Sequence, residues 1–159
     1  MKRLFIISIL LVNLVFMFGQ KNMTLKEYAD KEGITTVTLS KNMLSLFPKN
    51  SDISYGGINV AEFLDKLSSI NIFASPKREG TSKLVKDATQ LMEVAGYDNL
   101  MSLKTEKDEN INFYIQANEE YISELILIVQ GKTKESAVMQ FMGKFTMEDI
   151  QQMIADAGK

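Results

Sequence analysis

The chain has 159 residues, with 18 basic and 20 acidic side chains and no cysteine, histidine or tryptophan. Without histidine there is no Ser-His-Asp triad, HExxH zinc helix or imidazole acid–base catalyst, and without cysteine no thiol nucleophile, zinc knuckle, disulfide or lipidated cysteine. At 45% hydrophobic and 24% charged, the composition is that of one globular domain rather than a disordered or fibrous chain.

Lys2-Arg3 opens the chain, and an apolar run from Leu4 to Phe18, broken only by Ser8 and Asn13, leads to Gly19. Such a run fits the roughly 7–15 residues of a signal-peptide core and falls short of the roughly 20 that span a bilayer. Residues 1–19 are therefore expected to be a cleaved signal peptide. The alternative is a retained anchor, since Met17 fits poorly where a small residue should precede the cleavage site. Residues 20–33 read as a capped helix or extension, and 34–159 as a single domain. Cleavage removes Lys2 and Arg3, two of the 18 basic side chains, leaving 16 against 20 and a net charge of −4. That balance disfavours nucleic acid and anionic lipid as partners. No second long apolar run predicts stable membrane insertion, and the absence of cysteine excludes a lipoprotein, so the mature chain is expected in the periplasm or outside the cell.

Thr24 and Glu27 have the spacing of a capping box, predicting a short helix to about Lys31 that Gly33 ends. Ile34–Leu39, rich in β-branched residues, predicts a strand, and Lys41–Phe47 a helical turn or two before Pro48. Residues 48–58 read as a loop. Asn59 then caps a predicted helix whose Val60, Phe63, Leu64 and Leu67 form one stripe, with Glu62, Asp65 and Lys66 facing water. Ser69–Ala74 predicts a buried strand closed by Pro76. Thr81–Ala95 carries the clearest helical period, with Leu84, Val85, Ala88, Leu91, Met92 and Ala95 on one face and Gly96 at the C-terminal cap.

Beyond Gly96 the period changes to two. Met101–Thr105 and Ile111–Gln116 alternate as strands around a hairpin loop at Glu106–Asn110, and Tyr121–Val129 reads as a nearly continuous apolar strand suited to a sheet centre. Ser136–Gly143 predicts another strand. Thr146 and Asp149 predict a second capped helix, with Met147, Ile150, Met153, Ile154 and Ala157 on one face. The sum is an α+β chain: an antiparallel sheet of four to five strands in a two-layer sandwich, with helices over the face carrying Ile111, Phe113, Leu125 and Leu127.

The strings SKNMLSLFP (40–48), GGINV (56–60), FLDKLSSINIF (63–73), YISELILIVQG (121–131) and VMQFMGKFTMEDIQQM (138–153), in this order and spacing, resemble the domain-of-unknown-function family DUF4252, exported domains of Bacteroidota. The resemblance implies a cell-envelope protein, often a lipoprotein, with no assigned activity and no catalytic residues to carry over. This chain departs from it in lacking a cysteine after its signal segment, which implies release rather than tethering.

Residues 25–44 can be laid over a helix-turn-helix, with Ala29 between helices, Gly33 at the turn and Thr35, Thr38 and Lys41 opening a recognition helix. The signal segment, the net charge and the β-branched run at 34–39 oppose DNA binding. Ser40-Lys41 is a conceivable hydroxyl–amine pair, but neighbouring residues point apart and no oxyanion loop accompanies them. Asp98, Glu106, Asp108, Glu109, Glu119 and Glu120 could offer oxygen ligands to calcium, yet lack EF-hand spacing and read better as a solvated rim. Gly56-Gly57 lacks a phosphate-loop pattern and reads as a turn. The methionines Met23, Met43, Met92, Met101, Met139, Met142, Met147 and Met153 read as core filler, with an adaptable ligand groove as the alternative. The Asn22-Met23-Thr24 sequon reads as incidental.

No catalytic, cofactor-binding or metal-binding residue is assigned from the sequence. The expected function is non-enzymatic binding or assembly in the envelope, with another envelope protein or a small ligand as partner. The alternatives are a carboxylate-dependent hydrolase and a binder of small apolar ligands.

Overall fold

The elements occur in the order that the hydrophobic periods predict, with differences at their ends, in two predicted helices that are 3-10 turns, and in the predicted 48–58 loop. There Ser54–Tyr55 pairs with Ile58–Asn59 as a small hairpin, so that Asn59 ends a strand rather than capping a helix. The computed structural model describes residues 24–28, 31–48, 54–55, 58–75, 78–104, 110–131 and 136–157. A 3-10 turn at Leu25–Tyr28 precedes β1 (Thr35–Ser40), α1 (Lys41–Leu44), a small hairpin of β2 (Ser54–Tyr55) and β3 (Ile58–Asn59), a 3-10 turn at Val60–Phe63, and β4 (Leu67–Ser75). Then come α2 (Arg78–Val94), β5 (Asp98–Lys104), β6 (Asn110–Ala117), β7 (Ile122–Gln130), β8 (Ser136–Phe145) and α3 (Met147–Ala157).

Among the described residues the architecture is mixed α/β, with three helices and one open antiparallel sheet of six strands ordered β1-β4-β8-β7-β6-β5. The expectation of four to five strands is corrected to six. β5 to β8 form the predicted meander, and β4 joins it by pairing along β8, Ile70 opposite Phe141 and Phe73 opposite Val138. β1 then pairs outside β4. From β4 to β5 the chain crosses four strand spacings, about 19 Å at about 4.8 Å each. The 17 residues of α2 reach about 25 Å at 1.5 Å per residue, enough to make that crossing over one face.

The two-layer expectation is also corrected, because apolar clusters occupy both faces of the sheet. One contains Ile70, Ile111, Phe113, Leu125, Leu127, Met139 and Phe141 and is covered by Leu44, Phe63, Leu64, Ile150 and Met153. The other contains Phe73, Tyr114, Ile126, Ile128 and Val138 beneath Leu84, Val85, Ala88, Leu91 and Met92 of α2. Strand alternation explains the arrangement: β7 is apolar on both sides over Leu125–Ile128, all 0% exposed, as a central strand between two helical layers must be.

Local differences have local causes. The first predicted helix is only a 3-10 turn, in which the Glu27 amide donates to the Thr24 carbonyl (3.0 Å). The helix predicted from Val60 to Leu67 is likewise a single 3-10 turn, and Leu67 opens β4 with its side chain fully buried. A stripe of four apolar residues fits one helical face, but it also fits a short turn followed by a buried strand, and pairing with β8 favours the strand. Met147 is 48% exposed and Ala95 is exposed, so both leave their predicted apolar faces. The cap at Thr146 forms as predicted: Asp149 N donates to Thr146 Oγ1 (3.2 Å) and Thr146 N to Asp149 Oδ2 (2.8 Å), the reciprocal arrangement of a capping box. Among the described residues no helix is long and apolar enough to cross a membrane.

Candidate functional site

The sheet face beneath α2 changes from apolar to polar along its strands. Past Phe73 on β4, Val138 on β8 and Ile126 on β7, the next residues on the same face are Asn71, Gln140 and Glu124, with Gln116 opposite Glu124 on β6 and Thr38 opposite Asn71 on β1. α2 covers the apolar part, and a cavity of about 1100 Å³ opens over the polar part. Its floor is the sheet, and its walls come from Thr24, Leu25 and Lys26 at the start of the first 3-10 turn, from Lys83, Asp87, Leu91 and Val94 of α2, and from Tyr97. That volume is slightly above the roughly 300–1,000 Å³ of small-molecule sites.

The floor is a connected hydrogen-bond network. Asn71 Nδ2 donates to Gln140 Oε1 (3.0 Å), Gln140 Nε2 donates to Glu124 Oε2 (2.8 Å), and Tyr97 Oη donates to the same oxygen (2.9 Å). An ionised carboxylate only accepts, so it fixes the amide of Gln140 with nitrogen toward Glu124 and oxygen toward Asn71. Tyr97 reaches this position through the end of α2. Gly96 has φ +72°, and the Tyr97 and Gly96 amides donate to the carbonyls of Met92 (3.0 Å) and Glu93 (3.4 Å). This is a Schellman cap, which needs a left-handed residue at Gly96 and turns the chain back over the sheet. Burial, then the hydrogen bond to Glu124 and its negative charge, push the Tyr97 phenol well above the ordinary tyrosine range, so it stays a donor at neutral pH.

Two further polar features lie in the cavity. Lys31 Nζ is 3.9 Å from Asp87 Oδ2, and the Thr36 hydroxyl on the β1 side is buried without a hydrogen-bond partner. An unsatisfied buried hydroxyl costs about 1–3 kcal/mol. Neutral donors serve Glu124; among the described residues no cation lies within ion-pair distance of it.

The structure does not gather the candidates raised by the sequence into a site. Ser40 caps α1, accepting from Met43 N (3.5 Å), while Lys41 Nζ donates to the Asp65 carbonyl (3.4 Å), so the two do not form a catalytic pair. Thr35 and Thr38 lie in β1, which removes the recognition helix of a helix-turn-helix. Asp98, Glu119 and Glu120 are exposed, whereas Glu106, Asp108, Glu109, Gly56, Gly57, Asn22 and Met23 lie outside the described residues. Among the described residues no three acidic side chains come together as a metal site. Met92, Met139 and Met153 are core residues, Met43 is 47% exposed, and Met92 and Met142 also line the cavity.

Sequence reasoning missed Asn71, Tyr97, Glu124 and Gln140. Asn71, Glu124 and Gln140 each interrupt an otherwise apolar strand, in SSINIF, ISELILIV and AVMQFMG. That shared pattern was the available signal, but only the register of β4, β8 and β7 places the three side by side.

Fold and cavity together define a mixed α/β domain, open-sheeted, with a polar ligand-sized cavity between one helix and the sheet. A family model, Domain of unknown function (DUF4252), matches residues 28–153, and the chain belongs to that family. Neither the curated proteins nor the solved structures contain a match to the chain.

Proposed function

We propose that this DUF4252 chain is an exported, non-enzymatic binding protein whose ligand occupies the cavity between α2 and the polar part of the sheet. The observation that carries this reading is the Asn71–Gln140–Glu124–Tyr97 network on the floor of a cavity of about 1100 Å³. Side chains held in fixed donor and acceptor orientations beside apolar walls are what small-molecule sites are made of. The cationic start and short apolar run at residues 1–19 support export. The mature charge balance supports a ligand other than nucleic acid.

A screen of small soluble compounds by ligand-observed NMR tests the site, using the wild-type protein and Thr38→Trp. Thr38 is an exposed strand residue lining the cavity, where an indole fills space while keeping strand propensity. Compounds that bind the wild type and lose binding in the variant support the reading. Compounds that bind both alike place the site elsewhere, and saturable ester or glycoside turnover abolished by Glu124→Gln would replace binding with hydrolysis.

A further inference from the structure

Glu124 carries more than its own hydrogen bonds require. Tyr97 and Gln140 both donate to Oε2, and among the described residues Oε1 accepts from none. Both donors are neutral, so they solvate the carboxylate without cancelling its charge. Asn71 adds order rather than charge, by holding the Gln140 amide in its one compatible orientation.

The fold reinforces the sign at this place. Val94, Ala95 and Tyr97 line the cavity, which puts Glu124, through Tyr97, at the C-terminal end of α2. Helix C-termini carry partial negative charge and favour cations. Three basic residues lie on the cavity wall, none within ion-pair distance of Glu124: Lys83, which precedes Val94 by about 16 Å along the helix axis at 1.5 Å per residue, Lys31, which is paired with Asp87 on the intervening turn, and the exposed Lys26 of the first 3-10 turn. The cavity is therefore polarised along α2, negative at the end of Glu124 and basic toward the end of Lys83. Accessible apolar surface near Glu124 comes from Met142, opposite it in the register of β7 and β8, and from the exposed Val94 of α2.

We propose that the Glu124 end of the cavity binds the primary ammonium group of a ligand with an unbranched apolar stem, the ammonium donating to Glu124 Oε1 and the stem lying against Val94 and Met142. This assignment rests on the cavity being the ligand site and adds the chemical class of what it takes. Charge-assisted hydrogen bonds to a carboxylate are short and strong, and a neutral hydroxyl at the same position forms a weaker one. A carboxylate-headed ligand of the same length is repelled there.

Calorimetric titration of the full-length protein with n-hexylammonium, 1-hexanol and hexanoate separates the possibilities. Hexylammonium is expected to bind the wild type at least about tenfold more tightly than 1-hexanol, with hexanoate weakest. Glu124→Gln should bring hexylammonium down to the level of the alcohol. Tyr97→Phe keeps the carboxylate and should keep the ammonium preference, and an unfolding midpoint of Glu124→Gln close to that of the wild type excludes a folding defect in that variant. Equal binding of alcohol and ammonium by the wild type overturns the ammonium assignment, as does a preference that survives Glu124→Gln or failure of all three probes to bind. The cavity reading is judged separately: loss of 1-hexanol binding in Thr38→Trp upholds the site even where the ammonium assignment falls.

Discussion

Replacing Gly143 with alanine should be among the most damaging single-methyl additions in the protein. Gly143 lies in β8 where β4 begins, at a register irregularity between Leu67 and Ser69. A Cβ at this position would sit 2.3 Å from the Lys66 carbonyl oxygen and 2.8 Å from Cζ of Phe145. Phe145 is 1% exposed, so its ring has little room to yield, and the carbonyl is backbone that accepts from Lys144 N at 3.1 Å. Overpacking of this kind costs about 1–3 kcal/mol, and parting the chains enough to lose the Lys144 bond adds about 0.5–1.5 kcal/mol. The expected destabilisation is about 2–4 kcal/mol by urea unfolding, or a drop in Tm of roughly 5–15 °C. Gly96→Ala is the control: a Cβ there meets nothing within 4 Å, so only the left-handed backbone is penalised, at about 1–2 kcal/mol. A Gly143→Ala protein that loses less stability than Gly96→Ala would refute the close approach of β8 to Lys66.

Asp149 gives a pH-dependent counterpart. Burial alone raises its carboxyl, but hydrogen bonds from Lys66 and Thr146, with the Lys66 charge, outweigh burial and hold it below the ordinary aspartate range. A depressed folded value stabilises the protein above the unfolded pKa of about 3.9, and that stability disappears as pH falls through the folded value. Asp149→Asn should therefore cost about 1–2 kcal/mol at neutral pH, and the difference from wild type should shrink as the pH falls through the folded value; urea unfolding at neutral pH and in acid shows it, and an equal cost in both would contradict the ion pair. Export is read from the mass of protein recovered from its own host: a chain beginning near Gln20 is expected, and an uncleaved chain in the cytoplasm would remove the envelope from the proposal.

Elements with a long, unambiguous period were legible in the sequence, and those settled by pairing partners were not. α2 was readable because Leu84, Ala88, Leu91 and Met92 repeat at helical spacing and Gly96 ends them; β6 was readable because Ile111, Phe113 and Ile115 alternate. β4 was only half visible, since Leu67 completes a helical stripe as well as it starts a strand, and the pairing of Ile70 with Phe141 that decides between them spans distant parts of the chain. The sixth strand and the second helical layer follow from that same pairing. The cavity floor is less legible still. A single glutamate in ISELILIV reads as a charge at a solvated strand position until the register sets it beside Gln140 and the cap at Gly96 delivers Tyr97.

Native mass spectrometry of the protein purified from its own host most directly tests whether this cavity holds a small molecule. The expected spectrum shows an adduct of small-molecule mass on the wild-type chain and none on Thr38→Trp. Bare-chain masses for both proteins, under conditions gentle enough to keep noncovalent complexes, would contradict the ligand-binding role.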